Sequence, residues 1–148
     1  MNNPDLNFSS SYAGYETRKR ILIADNDQLV ANLIEKVISM YLNFDVRKTF
    51  NGSDAITEAL TGAYDAAIID VVSPRSAGVK AICTIKTMMP EFPIMAMSED
   101  DSEAGFRNLK RLGVADTLLK PFKMSELIER VNKLWKFEKT MSIQSQLI

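Results

Sequence analysis

The stretch that decides the fold is Tyr64-Asp-Ala-Ala-Ile-Ile-Asp-Val-Val-Ser-Pro74, in which an apolar run ends at Asp70. The run from Ala66 to Ile69 has no polar alternation, which is typical of a strand covered on both faces of a parallel sheet. Pro74 cannot donate to a further strand partner. Because open α/β sheets bind ligands beyond the carboxyl ends of their strands, Asp70 is a candidate site residue. The alternative is that Asp70 only begins a turn.

Similar apolar runs recur along the chain, and each is followed by a segment with helical periodicity. Predicted strands cover 20–24, 44–50, 66–70, 92–97 and 114–119, and predicted helices cover 28–41, 53–62, 78–88, 100–113 and 125–137. Such alternation indicates a parallel sheet with right-handed crossovers. We therefore predict an α/β fold with a five-stranded parallel sheet of order 2-1-3-4-5, flavodoxin-like, with helices on both faces.

Several local details of the helices are also predicted. Asp27 is placed to cap the first helix, Ser53 the second, and Asp100 with Glu103 forms a capping pair before the fourth. The first helix is expected to bury one apolar face comprising Leu29, Val30, Leu33, Ile34, Val37, Ile38 and Tyr41. The closing helix is expected to bury Leu127, Ile128, Val131, Leu134 and Trp135.

Composition excludes several classes of function. The chain has 148 residues, enough for one domain with a real core. Its 18 basic and 19 acidic residues give a net charge of −1, so we expect no nucleic-acid partner. Cys83 is the only cysteine, which excludes an internal disulfide and suits a cytoplasmic setting. The chain has no histidine for imidazole chemistry, and no stretch suits a membrane span.

Polar side chains follow several strands at the same predicted edge of the sheet. Asp25, Asn26 and Asp70 follow the first and third strands, Ser98 the fourth and Lys120 the fifth. Two carboxylates about 4 Å apart repel by roughly 4 kcal/mol at an effective dielectric of about 20, so such a pocket needs a cation. Oxygen ligands with water and a phosphate suit Mg²⁺. Asp70 is then a candidate nucleophile that forms an aspartyl phosphate, with Lys120 and Ser98 binding phosphoryl oxygens.

Over about residues 19–137 the chain resembles a receiver domain of the bacterial two-component response regulators. The resemblance rests on five pieces in order: Ile21-Leu-Ile-Ala-Asp-Asn-Asp27, Ile68-Ile-Asp-Val-Val-Ser-Pro74, Gly78, Met97-Ser98 and Thr117-Leu-Leu-Lys-Pro-Phe122. It implies that Asp70 accepts a phosphoryl group from a phosphohistidine on a histidine kinase or histidine phosphotransfer protein. It further implies metal ligation by Asp25, Asn26, Asp70 and the Val72 backbone carbonyl, with Ser98 as the switch hydroxyl.

Three positions depart from the family pattern. Asn26 stands where the family has a second acidic residue, and an amide contributes no charge, so we predict weaker Mg²⁺ binding. Glu99 replaces a small residue after the switch hydroxyl, where it could narrow access or repel an anionic donor. Thr117 stands where receivers often carry a switch aromatic, so an aromatic rotamer cannot relay the signal there.

We therefore keep two hypotheses. The first is a stand-alone phosphoacceptor, not a classical enzyme, with a flexible leader over 1–18 and a tail over 138–148 too short for a DNA-binding domain. Its target is expected on the fourth helix, fifth strand and fifth helix, a face with six basic residues: Arg107, Lys110, Arg111, Lys123, Arg130 and Lys133. The second is a pseudo-receiver that binds partners without phosphorylation. A flavodoxin-like enzyme is a distant third, because no phosphate-cradling loop follows the first strand.

Overall fold

The computed structural model describes residues 18–72 and 75–134, and in this range strands and helices alternate. The strands are β1 (Arg20–Ala24), β2 (Asp45–Thr49), β3 (Ala66–Val71), β4 (Ile94–Ser98) and β5 (Asp116–Leu119). The helices are α1 (Gln28–Leu42), α2 (Gly52–Thr61), α3 (Ala77–Met88), α4 (Glu103–Arg111) and α5 (124–134). Residues 1–17 and 135–148, and with them most of the predicted leader, the tail and Trp135, lie outside the described residues.

The five strands form one parallel sheet in the order β2-β1-β3-β4-β5, which confirms the predicted topology. Registers place the carboxyl ends side by side, with Ala24 opposite Ile69 and Val71 opposite Ser98. The residues that follow β1, β3, β4 and β5 therefore meet along one edge of the sheet. None of the helices in the described ranges is both long and apolar enough to pass through a membrane.

Buried side chains form two clusters, one on each face of the sheet. Ile21, Ile23 and Ile68 pack with apolar residues of α1 and α5, whereas Leu22 and Ile69 pack with those of α2, α3 and α4. Successive strand residues point to opposite faces, so a strand buried on both sides needs an unbroken apolar run. The run Ala66–Ile69 meets this requirement, since all four residues are inaccessible to solvent.

The buried face predicted for α1 is partly wrong. Leu29, Leu33 and Tyr41 are exposed, by 80%, 44% and 64%. The fully buried positions are Ala31, Ile34, Val37 and Ile38. The apolar arc of this helix is wider than its contact with the sheet, and at 3.6 residues per turn Leu29 and Leu33 lie on the outer border of that arc. Tyr41 belongs to the last turn.

Helix caps agree with the predictions only in part. Asp27 caps α1 as predicted, accepting from the backbone N–H groups of Leu29 and Val30. Asn51, not Ser53, caps α2, and Ser102, not the pair of Asp100 and Glu103, caps α4. In both cases a second polar residue stands two positions from the predicted cap, and sequence preference alone does not choose between the two.

Candidate functional site

Asp70 lies at the carboxyl end of β3, and its carboxylate forms an ion pair with Lys120. Lys120 Nζ is 2.8 Å from Asp70 Oδ1 and 3.1 Å from Asp25 Oδ2. The Lys120 backbone N–H donates to the carbonyl oxygen of Ser98, which fixes the chain where it leaves β5. From there the lysine side chain extends across the end of β4 to reach both carboxylates. The structure thus brings together three of the predicted site residues.

The electrostatics of this cluster follow from two carboxylates sharing one ammonium group. Burial raises the pKa of Asp70 above its ordinary value. The hydrogen bond and the charge of Lys120 lower this pKa, whereas the charges of Asp25 and Glu99 raise it further. For Lys120, burial lowers the pKa, but hydrogen bonds and attraction from Asp70 and Asp25 outweigh burial and raise it. The lysine therefore stays charged, and the pocket keeps an excess of negative charge.

Asp25 is held rigidly on both of its carboxylate oxygens. Its Oδ1 accepts the backbone N–H of Asp27 at 2.9 Å, while Oδ2 contacts Lys120. Its own N–H donates to the carbonyl of Thr49 at 3.1 Å. The Thr49 hydroxyl in turn donates to the carbonyl of Ile23 at 2.9 Å. Thr49 is buried and was not predicted as part of the site, because a lone strand threonine carries no sequence signal for this role.

A cavity of about 460 Å³ opens beside Asp70. Its lining includes Asp25, Asn26, Asp70 and Val72. It also includes Asn51, which follows β2, the strand next to β1. Sequence reasoning missed Asn51 as a site residue, although a polar side chain after a strand adjacent to β1 was a usable signal.

The N-terminus of α3 packs closely against the end of β3 at this cavity. A Cβ at Gly78 would overlap the Asp70 carbonyl oxygen, so glycine is required for this close approach. The helix start thereby closes one wall of the cavity.

The oxygen atoms around this cavity fit Mg²⁺. Carboxylates of Asp25 and Asp70, the Asn26 amide and the Val72 carbonyl are hard oxygen donors, and Mg²⁺ takes one or two carboxylates while keeping several waters. Among the residues described, no group of three or more His, Cys, Asp or Glu side chains is arranged to hold a metal. A Mg²⁺ ion bound here would therefore need non-carboxylate oxygens and water to complete its coordination.

Ser98 is the last residue of β4 and lies at the same edge of the sheet as Asp70. Its side chain is almost fully buried, and Oγ accepts the backbone N–H of Asp100 at 3.0 Å. A second cavity, of about 430 Å³, is lined by Ser98 with Val72, Val79 and Leu109. This cavity and the one beside Asp70 share Val72, and the role of Ser98 toward a phosphoryl group on Asp70 stays a prediction.

The structure also places Glu99 and Thr117, the other two positions that depart from the family pattern. Glu99 is exposed directly after β4, close enough for its charge to act on Asp70. Thr117 is half-buried in β5 and lines a third cavity of about 320 Å³, together with Phe106 and Arg130. No aromatic side chain stands at this position of β5.

Comparison with known proteins identifies the family. The family model described as the response regulator receiver domain matches residues 21–132. The transcriptional regulatory protein PrrA of Mycobacterium tuberculosis is 30% identical over 122 residues, which cover 80% of this chain and 50% of PrrA. The chain spans about half the length of the first curated relatives it matches.

Solved structures show the same fold. The receiver domain of the Francisella response regulator 1452 has a TM-score of 0.72 and 31% identity, covering 80% of this chain and 98% of that one. A CheY-like response regulator receiver domain protein of Methanospirillum hungatei has a TM-score of 0.76 at 15% identity, covering 84% and 99%. The chain therefore belongs to the response regulator receiver domain family.

Proposed function

We propose that this chain is a phosphoacceptor, in which Asp70 takes a phosphoryl group from a phosphohistidine on a histidine kinase or histidine phosphotransfer protein. The observation that carries the proposal is the position of Asp70, at the wall of a 460 Å³ cavity and 2.8 Å from the Lys120 ammonium group. Since the chain has no histidine, the donor is another protein. A reducing, cytoplasmic setting suits a chain whose only cysteine is Cys83.

The transfer uses groups already in place. A carboxylate oxygen of Asp70 attacks the phosphorus, the P–N bond to the donor imidazole breaks, and the departing nitrogen keeps the bonding electrons and takes a proton. The product is an acyl phosphate on Asp70. Lys120, which stays protonated, neutralises charge on the transferred oxygens. Asp25, Asn26, Asp70 and the Val72 carbonyl would hold Mg²⁺, which when bound supplies further positive charge to the phosphoryl group.

The signal is proposed to leave through protein contacts on the face of α4, β5 and α5. Three of its cations already have ion pairs: Arg107 with Glu103, Arg130 with Asp116 and Glu126, and Lys133 with Glu129. Lys110, Arg111 and Lys123 have no ion pair within the described part of the chain, which leaves them available to an acidic partner. The balanced net charge of −1 supports protein rather than nucleic acid as the target.

The pseudo-receiver is the second candidate, and two observations favour it. Asn26 offers an amide instead of a carboxylate at the cavity beside Asp70, and the negative charge of Glu99 acts on Asp70. Under this alternative the same face binds its partner without phosphorylation. The presence of Asp25, Asp70 and Lys120 in direct contact supports the phosphoacceptor more strongly, because a pure interaction module has no need of this cluster.

The deciding experiment is incubation with a phosphorylated histidine donor protein and Mg²⁺, followed by intact-mass measurement. Gain of one phosphoryl group that depends on Mg²⁺ supports the phosphoacceptor. No gain by folded protein with Mg²⁺ in excess favours the pseudo-receiver.

A further inference from the structure

Phe50 is an exposed aromatic residue at the wall of the cavity beside Asp70. It follows β2, keeps 38% of its surface exposed and belongs to neither of the two buried clusters on the faces of the sheet. Among the described residues that line the 460 Å³ cavity, it is the only aromatic one. The fold therefore places this ring at the cavity and not in the core.

The backbone on both sides of Phe50 is held in place. Before it, the carbonyl oxygen of the buried Thr49 accepts the backbone N–H of Asp25 at 3.1 Å. After it, the Asn51 side chain caps α2 and accepts the backbone N–H of Asp54 at 2.8 Å. A residue between two such anchors has little backbone freedom, so the fold sets where the Phe50 side chain begins.

Small residues line the cavity beyond this ring. A Cβ at Gly52 would lie 2.9 Å from the carbonyl oxygen of Ala77, so the start of α2 packs directly against the start of α3. Gly52, Ala77 and Ala81 all line the cavity together with Phe50. The cavity thus combines one large aromatic side chain with small ones that leave it open.

A phosphohistidine donor would bring a second flat ring to this cavity. In an in-line transfer the phosphorus lies between the Asp70 oxygen and the departing nitrogen, so the imidazole lies on the far side of the phosphoryl group from Asp70. β1 separates β2 from β3, and two strand spacings of about 4.8 Å put the backbone after β2 roughly 10 Å from the end of β3. A phosphoryl group and the ring that carries it span a comparable distance.

We infer that Phe50 is a specificity-determining residue, whose ring packs against the donor imidazole and favours phosphoryl groups carried on a ring. The inference rests on the proposed function and names the part of the donor that the cavity distinguishes. Two aromatic rings in offset or edge-to-face contact attract each other beyond the effect of the area that they bury. A donor without a ring gains nothing from this contact.

Two small donors that differ in the ring test the inference. Phosphoimidazole and phosphoramidate both lose their phosphoryl group to an Asp70 oxygen by cleavage of a P–N bond, and they release imidazole and ammonia, respectively. Intact mass measured over time, with Mg²⁺ present, gives the apparent second-order rate constant for each donor. Phe50→Ala should lower the constant for phosphoimidazole by about three- to tenfold, the size expected for one aromatic pair, and leave that for phosphoramidate unchanged.

Two further variants serve as controls. Phe50→Tyr keeps the ring and should retain the rate constants of the wild type with both donors. Phe106 is the matched aromatic residue, since it is 37% exposed and lines the third cavity instead. Phe106→Ala should therefore leave both rate constants unchanged.

The donor pair separates contact with the imidazole from a general effect on the cavity. An equal loss with both donors in Phe50→Ala would overturn the inference, because Phe50 would then only shape the cavity. Unchanged rate constants in Phe50→Ala would overturn it too, as would an equal loss with phosphoimidazole in Phe106→Ala. If no donor labels the wild type, the proposed function itself fails, whereas a labelled wild type with any of these outcomes removes the inference alone.

Discussion

Lys120 Nζ lies 2.8 Å from Asp70 Oδ1, although Asp70 belongs to β3 and Lys120 follows β5, two strands that are not neighbours in the sheet. β4 separates β3 from β5, so the contact exists only because the lysine side chain spans the end of the intervening strand. Their side chains are 18% and 11% exposed, which places the ion pair inside the edge of the sheet rather than on its surface. The phosphoryl transfer that we propose would thus find a positive charge already in position.

Replacing this lysine should slow phosphorylation strongly. Lys120→Met keeps the length of the side chain but removes the charge that stabilises the transferred oxygens, and we expect the rate to fall by about a hundredfold or more. The rate is measured by the gain of intact mass with a phosphohistidine donor. Lys123→Met, an exposed lysine three residues later, is the matched control and should retain the wild-type rate. A similar loss in both variants would contradict a specific role for Lys120.

The raised pKa of Asp70 predicts a particular pH dependence of stability. Burial is the main cause of the shift, so between the ordinary value of 3.8 and the raised value the folded protein binds more protons than the unfolded chain. The free energy of unfolding then decreases as pH rises through this window. Asp70→Asn removes this titrating group. The free energy of unfolding of the variant, relative to that of the wild type, should therefore increase as pH rises through this window.

Urea unfolding at a series of pH values measures this difference. Asp101→Asn, an exposed acidic residue, is the control for general loss of charge. A stability advantage of Asp70→Asn that shrank with rising pH would mean that Lys120, rather than burial, dominates the environment of Asp70.

Restoring the missing carboxylate should tighten the metal site. Asn26→Asp adds a negative oxygen ligand beside Asp25 and Asp70, and we expect Mg²⁺ to bind about tenfold more tightly, as titration calorimetry would measure. Asn51→Asp adds the same charge to another wall of the cavity and retains a good helix cap, so it is the matched control. Equal tightening in both would assign the gain to overall charge rather than to ligation by residue 26.

Glu99 should disfavour small anionic phosphodonors. Its charge already acts on Asp70, and it stands exposed where the chain leaves β4. With acetyl phosphate as donor, Glu99→Gln should raise the phosphorylation rate about threefold, consistent with loss of one partly screened repulsion. Gln has nearly the same volume as Glu, so a rate that rises only in Glu99→Ala would indicate that size, not charge, limits access.

The sequence predicted the parts of the structure that depend on strong local patterns. The unbroken run before Asp70 is typical of a strand buried on both faces, and the alternation of such runs with helical segments led to the sheet order and to the edge where Asp25 and Lys120 meet. Leu29 and Leu33 were misplaced because periodicity gives the apolar arc of a helix but not how much of it the sheet covers.

The orientation of Ser98 was not predictable from sequence. Its hydroxyl oxygen accepts the backbone N–H of Asp100, a contact that no sequence pattern reports. The contribution of Thr49 was hidden for the same reason, since it acts through backbone carbonyls.

The central claim is that Asp70 is the phosphoacceptor, and intact mass after incubation with a phosphohistidine donor and Mg²⁺ tests it most directly. The comparison is between Asp70→Asn and Asp65→Asn. Asp65 stands just before β3, and its carboxylate accepts the backbone N–H of Arg20 at 2.8 Å. We predict that Asp65→Asn gains one phosphoryl group as the wild type does and that Asp70→Asn gains none. Equal labelling of Asp70→Asn would contradict the account.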